Sequence, residues 1–317
     1  MRLWQGRGGD DDGPEADLHF LSQAQARLVQ KLFREAMAER GHELVIDDDG
    51  NLKDAQGSLY GLRNIAVLCR DHPGGEKEWP QLIAGYADHI LKGNSRETRA
   101  EVAALSPEQA RGLVYLSIFR AASLGPGLAG YRSAPELAPG LLELLALDMP
   151  DNTVFLDDVQ VDRLGGRESL REAALANLRA LPAPVYRRMG TPNAHFEAIG
   201  DDSHFTASRV LVMPDLLSRV LDTDAPYGVL AAMPARHWAF IHVLVDETAA
   251  PSLRMMAAMA RASYGREQGQ ISPDVFWWRD GSWMPVPSVE SGGKVTLRPG
   301  PELSFLLADL AARPLRG

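Results

Sequence analysis

The chain is 317 residues long, 45% hydrophobic and carries a net charge of −9, enough apolar content for one large core or two ordinary ones. Its surplus of acid argues against a non-specific grip on nucleic acid, which needs a basic excess to offset phosphate charge. One cysteine cannot close an internal disulfide, and no apolar run approaches the ~18 residues of a membrane span.

Residues 1–17 are rich in glycine and aspartate and are expected to be a disordered acidic tail, without the apolar stretch of a signal peptide. A cytoplasmic setting is the natural expectation. An amphipathic helix follows: Ser22 and Gln25 make a capping box, Leu28, Val29, Leu32, Phe33 and Ala36 form its stripe, and Gly41 stops it. Residues 43–47 and 51–55 read as a hairpin around Asp48-Asp49-Gly50, and a third apolar stretch runs over 59–68. Cys69 ends that stretch, where a buried and inert thiol is expected. A second helix over 79–91 has Pro80 in its first turn and Gly93 at its end. Residues 94–104 are polar and read as a linker.

Residues 114–119 have the pattern of a buried strand, although Ser106-Pro107 would also open a helix through them. Beyond the Gly- and Pro-rich loop of 125–140, strands are expected over 141–147 and 153–156, with Asp157 or Asp158 as a cap. A helix follows over 168–181, then a helical stretch over 205–221 broken at Pro214. Two strands (229–233 and 238–245), a helix (251–264) and a hairpin (275–279 with 282–286) close the pattern. Asp280-Gly281 is the strongest turn signal in the chain. The result is an α+β chain with mixed or antiparallel sheets flanked by helices. A recurring order of helix, two strands and helix at 22–91 and 206–264 allows two similar helix-on-sheet lobes. The expected divisions are the tail (1–17), an N-terminal α+β lobe (18–104), a main α+β domain (105–290) and a C-terminal helix or tail (291–317).

Compact catalytic motifs fail one by one. Gly125-Pro126-Gly127-Leu128-Ala129-Gly130 matches a dinucleotide fingerprint, but no helix of useful length can start there to meet a pyrophosphate. The aspartate-rich turns lack a carboxylate at the first position of a calcium loop. None of the eight histidines has the spacing of a helical zinc site. His195-Phe196-Glu197 lacks the two cysteines a zinc deaminase would need. No serine sits on a nucleophile elbow. No metal and no cofactor is therefore expected. The methionines at 255, 256 and 259 could form an adaptable surface, but Leu253, Met256, Ala257 and Ala260 read better as a core stripe.

Several short pieces carry a resemblance. They are Leu144-Leu145-Ala146-Leu147-Asp148, Ala174-Leu175-Ala176-Asn177-Leu178, Thr206-Ala207-Ser208-Arg209, Ala232-Met233-Pro234-Ala235-Arg236 and Ile271-Ser272-Pro273. In order and spacing, 141–285 resembles the YtpQ-type bacterial proteins, a family of unknown function. The loop at 125–140 and everything after Val289 depart from that pattern. The resemblance implies an architecture and brings no catalytic residues.

Within the resembling pieces, Arg209 lies early in a helix, where its charge opposes the dipole and asks for a carboxylate partner or a ligand. Arg236 and His237 sit in a tight strand connection, a place for a binding role or for a turn contact. Strand alternation sends Trp277 and Trp278 to opposite faces, so one of them is expected to lie open or half covered. A tryptophan at a sheet edge can anchor a protein interface. The preferred function is a non-catalytic interaction or accessory protein with a protein partner, not a nucleic acid or a membrane. The alternative is a hydrolase-type enzyme whose site gathers Arg209, Asp215, Arg236 and His237. A concave pocket holding several of these four would favour the enzyme, and an exposed apolar patch at Trp277 or Trp278 the interaction protein.

Overall fold

The computed structural model describes residues 18, 20–46, 52–55, 59–93, 95–150, 152–291 and 294–312, so the expected tail at 1–17 and the Asp48-Asp49-Gly50 turn lie outside the described residues. The chain divides into two compact units, Met1–Thr98 and Arg99–Gly317. The fold is α+β, and every strand pair among the described residues is antiparallel.

The first unit begins with α1 (Gln23–Glu39), whose capping box between Ser22 and Gln25 satisfies two otherwise orphaned N–H groups. Gly41 takes φ +82 just past its end, as a helix stop requires. Three two-residue strands follow, β1 (Val45–Ile46), β2 (Leu52–Lys53) and β3 (Leu59–Tyr60), paired in that order. The apolar stretch after Leu59 turns out to be mostly helix, α2 (Arg63–Asp71), because Ile65, Ala66 and Cys69 recur at helical spacing and are all buried. Next comes α3 (Trp79–Gly93), which buries Trp79, Ile83 and Ala87 against Val29, Phe33 and Met37 of α1 in one core.

The polar passage expected to link the lobes is itself helical. It forms α4 (Arg96–Ala104), and the division between units falls inside it. Arg163, some sixty residues on, donates from Nη2 to the carbonyl oxygen of Val102 (2.7 Å) and from Nη1 to those of Ala103 and Leu105 (both 3.1 Å). Such a partner for the last carbonyls of a helix is invisible to local sequence reading.

In the second unit the strand reading of 114–119 holds, and the helix that Ser106-Pro107 opens stops short of it at Leu113. Ser106 and Gln109 cap α5 (Pro107–Leu113), and β4 (Val114–Arg120) starts where it stops. Residues Ala121–Gly130 form 3-10 turns kinked at Gly125 (φ 49°, ψ −132°), so no α-helix starts at the glycine-rich motif. Then come β5 (Glu136–Ala138), β6 (Leu141–Asp148) and β7 (Thr153–Phe155), with β6 between β4 and β5 and also pairing β7. Asp157 and Gln160 form the capping box of α6 (Asp158–Arg163), and α7 (Arg167–Ala180) lays Leu170, Ala174 and Leu178 on this sheet.

A six-stranded sheet completes the unit. A hairpin not signalled in the sequence comes first, β8 (Val185–Thr191) and β9 (Ala194–Gly200). Helical turns at Ala207–Val212 lead into α8 (Met213–Leu216), the break lying at Val212 (φ −110°, ψ 44°), just before Pro214. Next are β10 (Val229–Ala235), β11 (Trp238–Val243), α9 (Ala249–Arg266), β12 (Val275–Arg279) and β13 (Ser282–Val286). The sheet order is β13-β12-β10-β11-β9-β8. Central β10 is buried along its whole length: Leu230 and Ala232 meet α9 on one face, while Val229, Ala231 and Met233 meet the helical turns around Val210 on the other. A small hairpin, β14 (Ser288–Ser291) with β15 (Lys294–Leu297), and α10 (Pro301–Leu310) end the unit, and Leu303, Leu307 and Leu310 join the core under α9.

Candidate functional site

The β12–β13 hairpin turns on Asp280 (φ 50°) and Gly281 (φ 83°), the two positive values that a two-residue turn of this hand requires. Alternation then separates the two adjacent tryptophans. Trp277 is 2% exposed in the core under α9, and its Nε1 donates to the carbonyl oxygen of Tyr227 at 3.0 Å. It is therefore a core residue and not the surface anchor its sequence position allowed. Trp278 is the half-covered one, facing the opposite side beside its cross-strand partner Trp283.

Those two indoles line a cleft of ≈ 460 Å³. Glu143 of β6 and Arg171 and Arg179 of α7 line it too, together with Leu211–Pro214 at the helical break. Glu143 is the one buried charged residue of β6, whose other charged residue, Asp148, ends it exposed, and Arg171 clasps Glu143 with Nε at 2.6 Å and Nη2 at 3.0 Å. Arg179 donates from Nε to Asp215 at 2.9 Å. Both guanidiniums keep nearly half of their side-chain surface in solvent, whereas the Glu143 side chain is 4% exposed. The cleft thus presents indole rings and outward cations, with the carboxylate Glu143 withdrawn behind Arg171 and the exposed Asp280 at the hairpin turn as its one outward carboxylate.

Arg209 stands in the helical turns Ala207–Val212 and is buried. The carboxylate partner that its position demanded is Asp201, 3.1 Å from Nη2, and the same nitrogen donates to the carbonyl oxygen of Pro182 at 2.8 Å. Its Nε is buried with no hydrogen-bond partner among the described residues. Asp201 is fixed in turn by Thr206 Oγ1 and by the backbone N–H of Ser203 (2.9 Å). Arg209 and Asp215 line a second, smaller cavity of ≈ 120 Å³, together with Arg179 and Arg219.

Arg236 and His237 form the tight connection between β10 and β11. His237 Nδ1 lies 3.1 Å from the carbonyl oxygen of Ser203, so the proton belongs on Nδ1, and Nε2 accepts from Arg236 Nε at 2.9 Å. Burial, with Arg236 beside it, pushes the His237 pKa down, in keeping with a neutral ring. The backbone of Arg236 pairs at both ends, its N–H with the Gly269 carbonyl and its carbonyl with the Ala207 N–H, both at 2.9 Å. These are turn contacts. The loop at 201–206 touches Arg209 through Asp201 and His237 through Ser203, but Arg236 and His237 do not line either cavity. The four residues of the dispersed hydrolase site are thus divided between a cavity wall and a strand turn.

Sequence reasoning passed over Glu143, Arg171, Arg179 and Asp201. A lone glutamate in Leu141–Asp148 was the available signal, since a buried carboxylate must have a partner. It also passed over a buried polar group under α9. There the His195 and His242 rings meet edge to face at 5.1 Å, and Thr248 Oγ1 donates to Asp246 at 2.6 Å while lying 3.4 Å from His242 Nε2. No group of three or more His, Cys, Asp or Glu among the described residues is arranged to hold a metal ion. No described helix is long and apolar enough to cross a membrane.

Comparison with protein-family models, with curated proteins and with solved structures finds no match to this chain.

Proposed function

We propose that this chain is a non-catalytic recognition protein that holds an acidic, apolar-tipped segment of a partner protein in the cleft under Trp278 and Trp283. The observation that carries this reading is the pairing of two indoles with the outward guanidiniums of Arg171 and Arg179 in one open cleft. Tryptophan and arginine are the side chains that most often dominate protein interfaces, because each offers a large apolar face together with directed N–H donors. Among the described residues, the carboxylates bonded to these arginines engage Arg171 through Nε and Nη2 and Arg179 through Nε, so Arg171 Nη1 and both Nη atoms of Arg179 remain as donors for an incoming carboxylate.

The same reading places the chain with the YtpQ-type bacterial proteins, on the order of short pieces between 141 and 285 that all fall in the second unit. It takes the setting to be cytoplasmic, on the single cysteine and its burial.

The test is selection from a displayed random-peptide library, run on the full chain and on Trp278→Ala and Arg179→Gln variants. Enrichment of acidic sequences with an aromatic or branched residue, lost in both variants, supports the reading. Failure to enrich any sequence, or enrichment that both variants retain, removes it.

A further inference from the structure

Strand β8 is the last of the six-stranded sheet, paired in unbroken register with β9 on one side and with no described strand on the other. All of it but Met189 is exposed. A bare strand edge offers a row of unpaired N–H and carbonyl groups, and proteins commonly cover or interrupt one. Two other edges are dealt with in that way. β13, at the far end of the same sheet, carries Pro285, which has no N–H to donate. β4, at the edge of the second sheet, is largely buried, and its Ile118 N–H donates to Ser208 Oγ at 3.1 Å. The edge of β8 has neither device, since Pro184 and Pro192 lie just outside it.

Register fixes what stands beside that edge. Val185, Gly200 and Trp238 lie directly across from one another on β8, β9 and β11, and so share one face. A Cβ on Gly200 would stand 2.5 Å from Trp238 Cζ3, so glycine leaves the indole room to lie on the strand. Trp238 is 37% and Val185 75% exposed, an apolar strip that ends at the open edge. Arg187 follows on the same face and makes no hydrogen bond or ion pair among the described residues. Arg188 takes the other face, where Glu197 accepts from its Nε at 2.7 Å while the side chain stays 69% exposed.

These charges select the occupant. Antiparallel pairing of two copies of β8 along their full length sets Arg188 directly against Arg188 of the second copy, a like-charge contact. An acidic strand gains at both arginines instead. We infer that β8 is a docking edge for an extended acidic segment of a partner protein. The segment adds to the sheet as a further strand, with carboxylates beside Arg187 and Arg188 and an apolar residue beside Val185. This edge is independent of the Trp278 cleft, because β8 and the β12–β13 hairpin stand at opposite ends of the sheet order.

Fluorescence anisotropy with a labelled, end-blocked peptide, Thr-Val-Val-Glu-Glu-Val-Val-Thr, tests it, and the palindromic order serves either strand direction. The full chain should bind it saturably, with amide hydrogen exchange slowed in β8. Three changes should each weaken binding about tenfold or more: lysines for both glutamates, N-methylation of both glutamate amides, and Arg187→Glu in the protein. Neighbouring amides point to opposite edges of a strand, so the double N-methylation blocks both edges and leaves every charge in place. Arg187 is exposed and unbonded, so Arg187→Glu should fold, and it should bind the lysine peptide better than the parent chain does. Trp278→Ala should leave binding unchanged, whereas loss in that variant would put the peptide in the cleft and overturn the inference. So would the absence of saturable binding, equal binding of the N-methylated peptide, or indifference to Arg187→Glu. Sedimentation should find no dimer built on β8. A dimer that excess peptide dissociates would assign the edge to a second copy and overturn the inference as well.

Discussion

Arg171 holds Glu143 in a two-pronged grip, Nε at 2.6 Å and Nη2 at 3.0 Å, and so ties α7 to the middle of β6. The carboxylate is buried while the guanidinium stays half in water, and the hydrogen bond to Glu143 raises the Arg171 pKa. Arg171→Ala should lower stability by about 2 kcal/mol, below the ~3–5 kcal/mol of a fully buried pair because the arginine side is open to solvent. Urea denaturation measures this. Glu143→Leu, which removes the buried charge instead of stranding it, should be far milder, and equal losses for the two would contradict the argument.

Adjacent tryptophans should behave in opposite ways. Trp277→Ala empties a core position and breaks the bond to Tyr227, so a loss of roughly 3–5 kcal/mol is expected. Trp278→Ala should leave stability within about 1–2 kcal/mol of the parent, since its ring is only partly covered. Paired thermal melts of the two variants check the order.

Stability should fall as the solution is made mildly acidic. Burial is the main force holding His242 down to about 4, helped by the charges of the His195 ring and of Arg188, against opposition from Asp246 and from a hydrogen bond with the His195 backbone. His204 is likewise pushed to about 4, by burial and by Arg236 and His237. The unfolded chain takes up these protons near the ordinary value of 6.5, while the folded chain refuses them until near 4. Both contributions are therefore complete above pH 6.5 and are lost as pH falls to 4. His242→Gln should flatten the slope of unfolding free energy in that window by roughly 1.4 kcal/mol per pH unit. An unchanged slope would mean that His242 titrates freely in the folded chain.

Cys69 should be inert in the folded state. It sits buried in α2, where desolvation pushes its pKa up to about 12. Its backbone carbonyl accepts from Trp79 Nε1 at 2.8 Å, which locks α2 against the start of α3. A chromogenic disulfide reagent at neutral pH should report no thiol in native protein and one in 6 M guanidinium. Prompt native reaction would show that the first unit opens readily.

Local chemistry made much of this fold legible. The capping box at Ser22, a cap at Asp157 or Asp158, the Asp280-Gly281 turn and the split of Trp277 from Trp278 each depend on residues a few positions apart, with the polypeptide's own periods of 3.6 and 2. The core stripe of α9 followed from the same spacing. The β8–β9 hairpin escaped because β8 is exposed along nearly its whole length and so shows no alternation, and its Pro192-Asn193 turn lacks the usual glycine. Helix α4 escaped because it buries little, and its last carbonyls are satisfied by Arg163 from far along the chain.

Which face a side chain takes is set by neighbours in sequence, but what meets it there is set by long-range packing. Alternation separated the two tryptophans, yet only α9 closing over one face of the sheet made Trp277 core and left Trp278 at a cleft. The need of Arg209 for a carboxylate was readable from its place in a helical turn. That Asp201 answers it, and that Arg179 and Arg219 converge beside it, follow from α7 packing against the helical turns at Ala207–Val212, a long-range contact that no local pattern encodes.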